Sequence, residues 1–186
     1  MKIVIVGAGR VGSTLAEVYD KAGHEVVVLD LSTRAFDRLP PSFRGKAIRG
    51  DGTDEDTLRR VGAADADVFL AMTEGDNRNV MAAQVAAENL GVARVVAKIN
   101  DPVRAAAYGE LGIATICRTT MQADAISVFL GFATSGGQGV VAPTGSHHDA
   151  GGDSAGASGP AAAPTPAGTS AGTPLAGSAG IAGTEA

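Results

Sequence analysis

Three glycines at a fixed spacing, Gly7-Ala8-Gly9-Arg10-Val11-Gly12, carry the chemistry of anion binding rather than of acid–base catalysis. Gly7 permits the tight turn off a strand, Gly9 removes the side chain that would hold a pyrophosphate away from the backbone, and Gly12 lets the next helix pack closely. A helix opening at this point turns its unpaired N–H groups and positive dipole end toward phosphates. The Arg10 guanidinium adds a donor fork, with a solvated surface Arg as the plain alternative. Asp30 follows 18 residues after Gly12, where a carboxylate accepts from the hydroxyls of an adenosine ribose. Its charge opposes a ribose 2′-phosphate, so NAD or an adenine nucleotide is favoured over NADP, although Arg34 is near enough in sequence to weigh on the other side.

More polar residues fall directly after apolar runs: Gly50-Asp51-Gly52-Thr53, Thr73-Glu74-Gly75-Asp76 with Asn79, and Lys98 with Asn100. Asp51 is placed to accept from an adenine amino group, Thr73 and Asn79 to bond the far end of a nucleotide, and Lys98 to neutralise a terminal phosphate. Capping of the next helix is the alternative for Asp51, Thr53 and Asp76, and a solvated edge charge for Lys98. Together these residues describe one polar rim.

The elements that must position them alternate along the chain. Ile3–Val6, Val26–Leu29, Lys46–Arg49, Asp67–Met72, Arg94–Ile99 and Ile113–Cys117 read as six strands. Between them lie helical patterns: one after Gly12, a short face at Phe36 and Leu39 ended by Pro40-Pro41, one capped by Thr53 with Asp56, and a long one capped by Asp76 running to Leu90. Asp101-Pro102 opens a further helix, and Thr119 with Gln122 opens the last, through Ile126, Phe129 and Leu130. Six β/α units in alternation predict an α/β fold, a doubly wound six-stranded parallel sheet of Rossmann type, with ligands outside the carboxyl ends of the strands.

Composition divides the chain near residue 130. Residues 131–186 contain 14 of the 26 Gly and 5 of the 8 Pro, and neither Lys nor Arg. So few large apolar side chains cannot offset the entropy of ordering, and this stretch is expected to be a disordered Gly/Ala/Ser/Pro-rich tail. Residues 1–130 carry 17 acidic groups against all 15 basic ones, which leaves no basic footprint for nucleic acid. The single Cys117 allows no internal disulfide and fits a reducing cytoplasm. Lys2 and the short run after it do not make a signal peptide, and the densely apolar part of the uncharged stretch 125–148 ends at Ala133, too short to span a bilayer.

Hydride transfer would need a substrate pocket and an acid–base group beside the nicotinamide. His24 falls at the opposite rim, His147 and His148 lie in the tail, Tyr19 belongs to an apolar helix face, Tyr108 sits away from a strand end, and Cys117 reads as a buried small hydrophobe. No catalytic residue and no metal site is assigned. A binding module is the reading, and an NAD-dependent oxidoreductase or its isolated cofactor-binding domain the alternative.

The glycine motif, Asp30, Gly50-Asp51, the Thr73-x-x-Asp76-x-x-Asn79 pattern and Ala97-Lys98-Ile99-Asn100-Asp101-Pro102 together resemble the nucleotide-binding N-terminal domain of the regulators of potassium conductance, the cytoplasmic regulatory subunits of Trk- and Ktr-type potassium uptake systems. The resemblance covers about Met1 to Leu130. It implies a domain that binds NAD(H) or ATP/ADP; the candidate binding residues, taken from these motifs and from the strand ends together, are Gly7, Ala8, Gly9, Arg10, Val11, Gly12, Asp30, Asp51, Thr53, Thr73, Glu74, Asp76, Asn79 and Lys98. It also implies a homo-oligomer, a dimer or higher ring, peripheral to the inner face of the cell membrane through a potassium transporter subunit whose gate it controls. Lys98 stands where the family often has Arg. The C-terminal ligand-binding domain that commonly follows is replaced by the low-complexity tail, so a companion regulatory subunit is expected.

Overall fold

A computed structural model describes residues 1–137 and 139–142; the expected tail from residue 143 onward lies outside the described residues. The chain order is β1 (Lys2–Val6), α1 (Arg10–Lys21), β2 (Glu25–Asp30), a 3-10 segment (Thr33–Arg38), β3 (Lys46–Arg49), α2 (Glu55–Arg60), β4 (Val68–Ala71), α3 (Asp76–Gln84), β5 (Val95–Ile99), α4 (Pro102–Glu110), β6 (Ala114–Cys117), α5 (Arg118–Phe129) and β7 (Val140–Val141).

The sheet runs β3-β2-β1-β4-β5-β6-β7. Its first six strands are parallel, so every crossover carries chain over a face of the sheet. The central strands β1, β2 and β4 are therefore buried on both faces, while the edge strand β3 is largely exposed. Alternate residues of β1 feed opposite cores: Val4 and Val6 join Leu58, Phe69, Val80 and Ala105, while Ile3 and Ile5 join Ala16, Val26, Val28 and Leu70. The strand order reverses between β1 and β4, where one crossover series leaves toward β3 and the other toward β6. Register aligns this point: Val6 pairs Leu29 on one side and Ala71 on the other, so Gly7, Asp30 and Met72 leave the sheet at one level.

The seventh strand departs from the six expected. Val140 and Val141 pair antiparallel with Ile116 and Thr115, inside the segment whose composition predicts no structure. Gly109 on α4 makes room, since a Cβ there would stand 2.2 Å from Val141 Cγ1.

Three helix starts are also corrected. Asp54, not Thr53, caps α2 by accepting from the Thr57 amide at 2.9 Å. Gly75 occupies the cap position of α3, which places Asp76 inside the first turn. Cys117 precedes α5 without a side-chain cap bond, and Thr119 Oγ1 instead donates to the Asn100 carbonyl at 2.6 Å. Asp101 does cap α4, accepting from Val103 and Arg104 amides. The long helix after Asp76 is regular only to Gln84 and then widens into a π turn over Val85–Asn89.

Candidate functional site

The strand ends at the β1/β4 reversal enclose a cavity of about 530 Å³. Its floor is the loop from Gly7 into α1. Gly7 has φ +104°, and a Cβ on it would stand 2.8 Å from the Thr73 amide nitrogen, so the turn is closed to other residues by both conformation and contact. A Cβ on Gly12 would stand 1.9 Å from the Gly7 carbonyl oxygen, so its absence lets α1 lie against the loop. Gly9 differs from both. A Cβ there would meet, beyond its chain neighbours, only Glu74 Oε1 at 3.7 Å among the described residues. The fold imposes no steric demand for glycine at that position, and the missing side chain leaves bare backbone open to the cavity. No side chain caps α1, so its first-turn amides keep their donors and its positive dipole end for the cavity that Gly9, Arg10 and Val11 line.

Asp30 is the last residue of β2 and lines the same space. Its Oδ2 accepts from the Ala8 amide and its Oδ1 from the Ser32 amide, each at 2.8 Å. That leaves about two of a carboxylate's four acceptor positions for other donors. The carboxylate is thereby fixed against the glycine loop rather than free to rotate.

Lys98 reaches the cavity from the buried end of β5 and is only 4% exposed. Its ammonium lies 3.6 Å from Glu74 Oε1, on a side chain that is 81% exposed. Thr73 and Glu74 line the wall after β4, and Gly50 and Gly52 the wall after β3.

Four of the expected contacts have other work. Asn79 is fully buried. Its Oδ1 accepts from the Thr73 amide and hydroxyl at 2.8 and 2.7 Å, and its Nδ2 donates to the Thr73 and Lys98 carbonyls at 3.0 and 2.8 Å. With every acceptor and donor position satisfied it has nothing left to offer a nucleotide, and it acts by pinning the ends of β4 and β5. Asp76 is spent in the same way on Asn100 and on the Asp101 amide, with Arg104 3.9 Å away. Asp51 Oδ1 accepts from the Thr53 amide and hydroxyl, and neither residue lines the cavity.

The sequence reading missed Arg38, Arg78 and Arg118, all of which line the cavity. Arg118 directly follows β6, so the rule that found Lys98 at a strand end would also have found it. Arg78, on the first turn of α3, and Arg38, in the irregular crossover after β2, carry no local signal. With Arg10 and Lys98 they make five cationic side chains on the lining against two carboxylates, Asp30 and Glu74. The cavity is built for an anion. The groups considered for catalysis stand elsewhere: His24 at the opposite end of the sheet, Tyr108 under Arg104 on α4, Tyr19 against the α1-side core, and Cys117 buried at 1% exposure.

Comparison with known proteins places this geometry. Residues 3–119 match the family model of the TrkA-N domain. The chain is 48% identical over 124 residues to a Trk system potassium uptake protein TrkA of Streptomyces coelicolor, covering 67% of this chain and 56% of that one. A homologue from Pyrococcus abyssi is 29% identical over 111 residues, covering 60% and 49%. The chain thus spans about half the length of these curated relatives. Among solved structures, the TrkA-N domain of the inner membrane protein ybaL from Escherichia coli superposes with a TM-score of 0.62 at 19% identity, covering 69% of this chain and 96% of that one. At that identity the likeness is one of fold.

Proposed function

Since the chain belongs to the TrkA-N domain family, we propose that it is a nucleotide-binding regulatory domain of a potassium uptake system, responding to NAD(H) or to ATP and ADP. The observation that carries this reading is Gly9: a bare backbone at an uncapped helix start, facing a cavity whose lining has five cations and two acids. A diphosphate bridging ribose to ribose or ribose to phosphate matches that charge, and Asp30 stands beside it, anchored to the loop, with acceptor capacity for ribose hydroxyls. In this fit the α1 amides, Arg10 and Lys98 hold phosphate and Asp30 holds sugar. The domain binds rather than transforms its ligand, as the names of the curated relatives, potassium uptake proteins, support.

The partner in this reading is a membrane potassium transporter subunit, with a companion regulatory subunit supplying the further ligand-binding domain, and the location is the cytoplasmic face of the membrane. No helix among the described residues is long and apolar enough to cross a bilayer, which is consistent with peripheral attachment. A second copy of the chain is expected on α5. Ile126, Val128 and Phe129, with Leu130 and Phe132 just beyond the helix, are 56–88% exposed there. Nucleotide acts on the transporter only through its different affinity for two arrangements of this assembly, and a tenfold preference corresponds to about 1.4 kcal/mol per site. The compositional division near residue 130 remains the proposed boundary of the nucleotide unit, with β7 added to its sheet.

Titration of the purified chain with NAD, NADH, ADP and ATP tests the reading, by calorimetry and thermal shift. Saturable binding of at least one is expected; the absence of binding by all four overturns it.

A further inference from the structure

Glu74 is one of two acids on a lining that carries five cations. Its side chain extends into solvent, yet Oε1 lies 3.6 Å from the Lys98 ammonium and 3.7 Å from the point a Cβ would take on Gly9. One carboxylate oxygen therefore stands over the bare backbone of the loop and faces the buried cation across it. Lys98 is 4% exposed, and Glu74 is the one carboxylate within 4.0 Å of it among the described residues. A buried ammonium depends on such a counter-charge. Glu74, in contrast, is tied to no other group among the described residues, and at 81% exposure its own charge is solvated by water once another anion takes its place beside Lys98.

We propose that Glu74 is an internal competitor of the ligand: its carboxylate takes the position over Gly9 and the charge of Lys98 that a ligand's phosphates require, and so sets the affinity of the site below what the glycine loop and its cations would give. The proposal rests on the nucleotide-binding reading and deepens it. A phosphate group that reaches Gly9 must displace the carboxylate, take over Lys98, and otherwise suffer repulsion from a like charge a few ångströms away. A ligand without phosphate leaves the Glu74–Lys98 pair in place. The residue thereby acts selectively on the phosphate part of the ligand, and because the pair is exposed on the Glu74 side its effect is screened by salt.

The test compares the full chain with Glu74→Gln and Glu74→Ala in titrations with ADP, NAD and adenosine at low and at high ionic strength. Both variants are expected to bind the phosphate-bearing ligands about fivefold more tightly than the parent at low salt, a gain that shrinks at high salt, with adenosine unchanged. Equal affinity in parent and variants, weaker binding in the variants, or an equal gain for adenosine would each overturn the proposal while leaving the nucleotide reading intact. Failure of parent and variants alike to bind ADP or NAD would overturn both. Thermal melting of the three proteins without ligand confirms that each is folded, as an exposed side chain at this loop predicts.

Discussion

Asn79 holds Thr73 from both sides: its Oδ1 accepts from the Thr73 amide and hydroxyl, and its Nδ2 returns a hydrogen bond to the Thr73 carbonyl while donating a second to Lys98 O. The wall of the cavity after β4 and the cation delivered by β5 are thus set by one fully buried side chain. Asn79→Ala is expected to leave backbone groups unpaired, lowering stability by about 2–3 kcal/mol in urea unfolding. Nucleotide affinity falls as a consequence of lost positioning, so it should be partly restored when binding is measured well below the lowered melting temperature.

Gly9 and Gly12 separate function from folding. Gly12→Ala drives a Cβ to 1.9 Å from the Gly7 carbonyl, and the resulting shift of α1 should cost about 1–3 kcal/mol, read as a lower urea midpoint. Gly9→Ala meets only ordinary contact at 3.7 Å, so stability should stay within about 0.5 kcal/mol of the parent. Its methyl projects where phosphates approach, and affinity for ADP or NAD should drop at least about tenfold, or 1.4 kcal/mol. Equal binding by parent and Gly9→Ala would count against the phosphate position.

Asp30 serves the loop and the ligand together. Asp30→Ala releases the Ala8 and Ser32 amides, so it should lower both stability and nucleotide affinity. Asp30→Asn keeps one acceptor oxygen and removes the charge, which relaxes the bias against a ribose 2′-phosphate. The expected result is a narrowed ratio of NAD to NADP affinity, measured by competition.

Asp54 gives α2 an acid-sensitive start. Hydrogen bonds from the Thr57 side chain and amide hold its carboxyl below the ordinary value of 3.8. A carboxyl whose folded pKa is depressed stabilises the fold fully above the unfolded value and loses that contribution as pH falls through the lowered folded value. Asp54→Asn remains a competent cap, so it should match the parent near pH 7 and show a shallower loss of stability below about pH 4 in acid titrations followed by circular dichroism.

The apolar surface of α5 should decide assembly. Phe129 and Phe132 are 88% and 69% exposed, so exchanging both for Ser removes no core contact among the described residues. Sedimentation is expected to shift toward monomer with little change in the melting temperature. An unchanged sedimentation coefficient would remove α5 from the proposed interface.

What the residues determined by themselves was periodicity and local chemistry. Apolar runs separated by helical patterns fix alternating parallel strands, because a strand buried on both faces needs an unbroken apolar run. The glycine spacing with Asp30 marks the loop, because a tight turn and a close backbone approach leave a signature in residue type. The three-dimensional arrangement decided which polar groups remain free. Asp51, Asp76 and Asn79 look from the sequence like ligand contacts; hydrogen bonds to Thr73 and Lys98 consume Asn79, those to Asn100 and Asp101 hold Asp76, and Asp51 bonds Thr53 away from the cavity lining. Arg38 and Arg78 carry no local signal and converge with Arg118 on the cavity, because the crossovers bring distant segments to one rim. The pairing of Val140 and Val141 with β6 likewise depends on an open sheet edge and on Gly109, neither of which local composition encodes. Residue type limits what a side chain can bond, and packing settles which partner it meets.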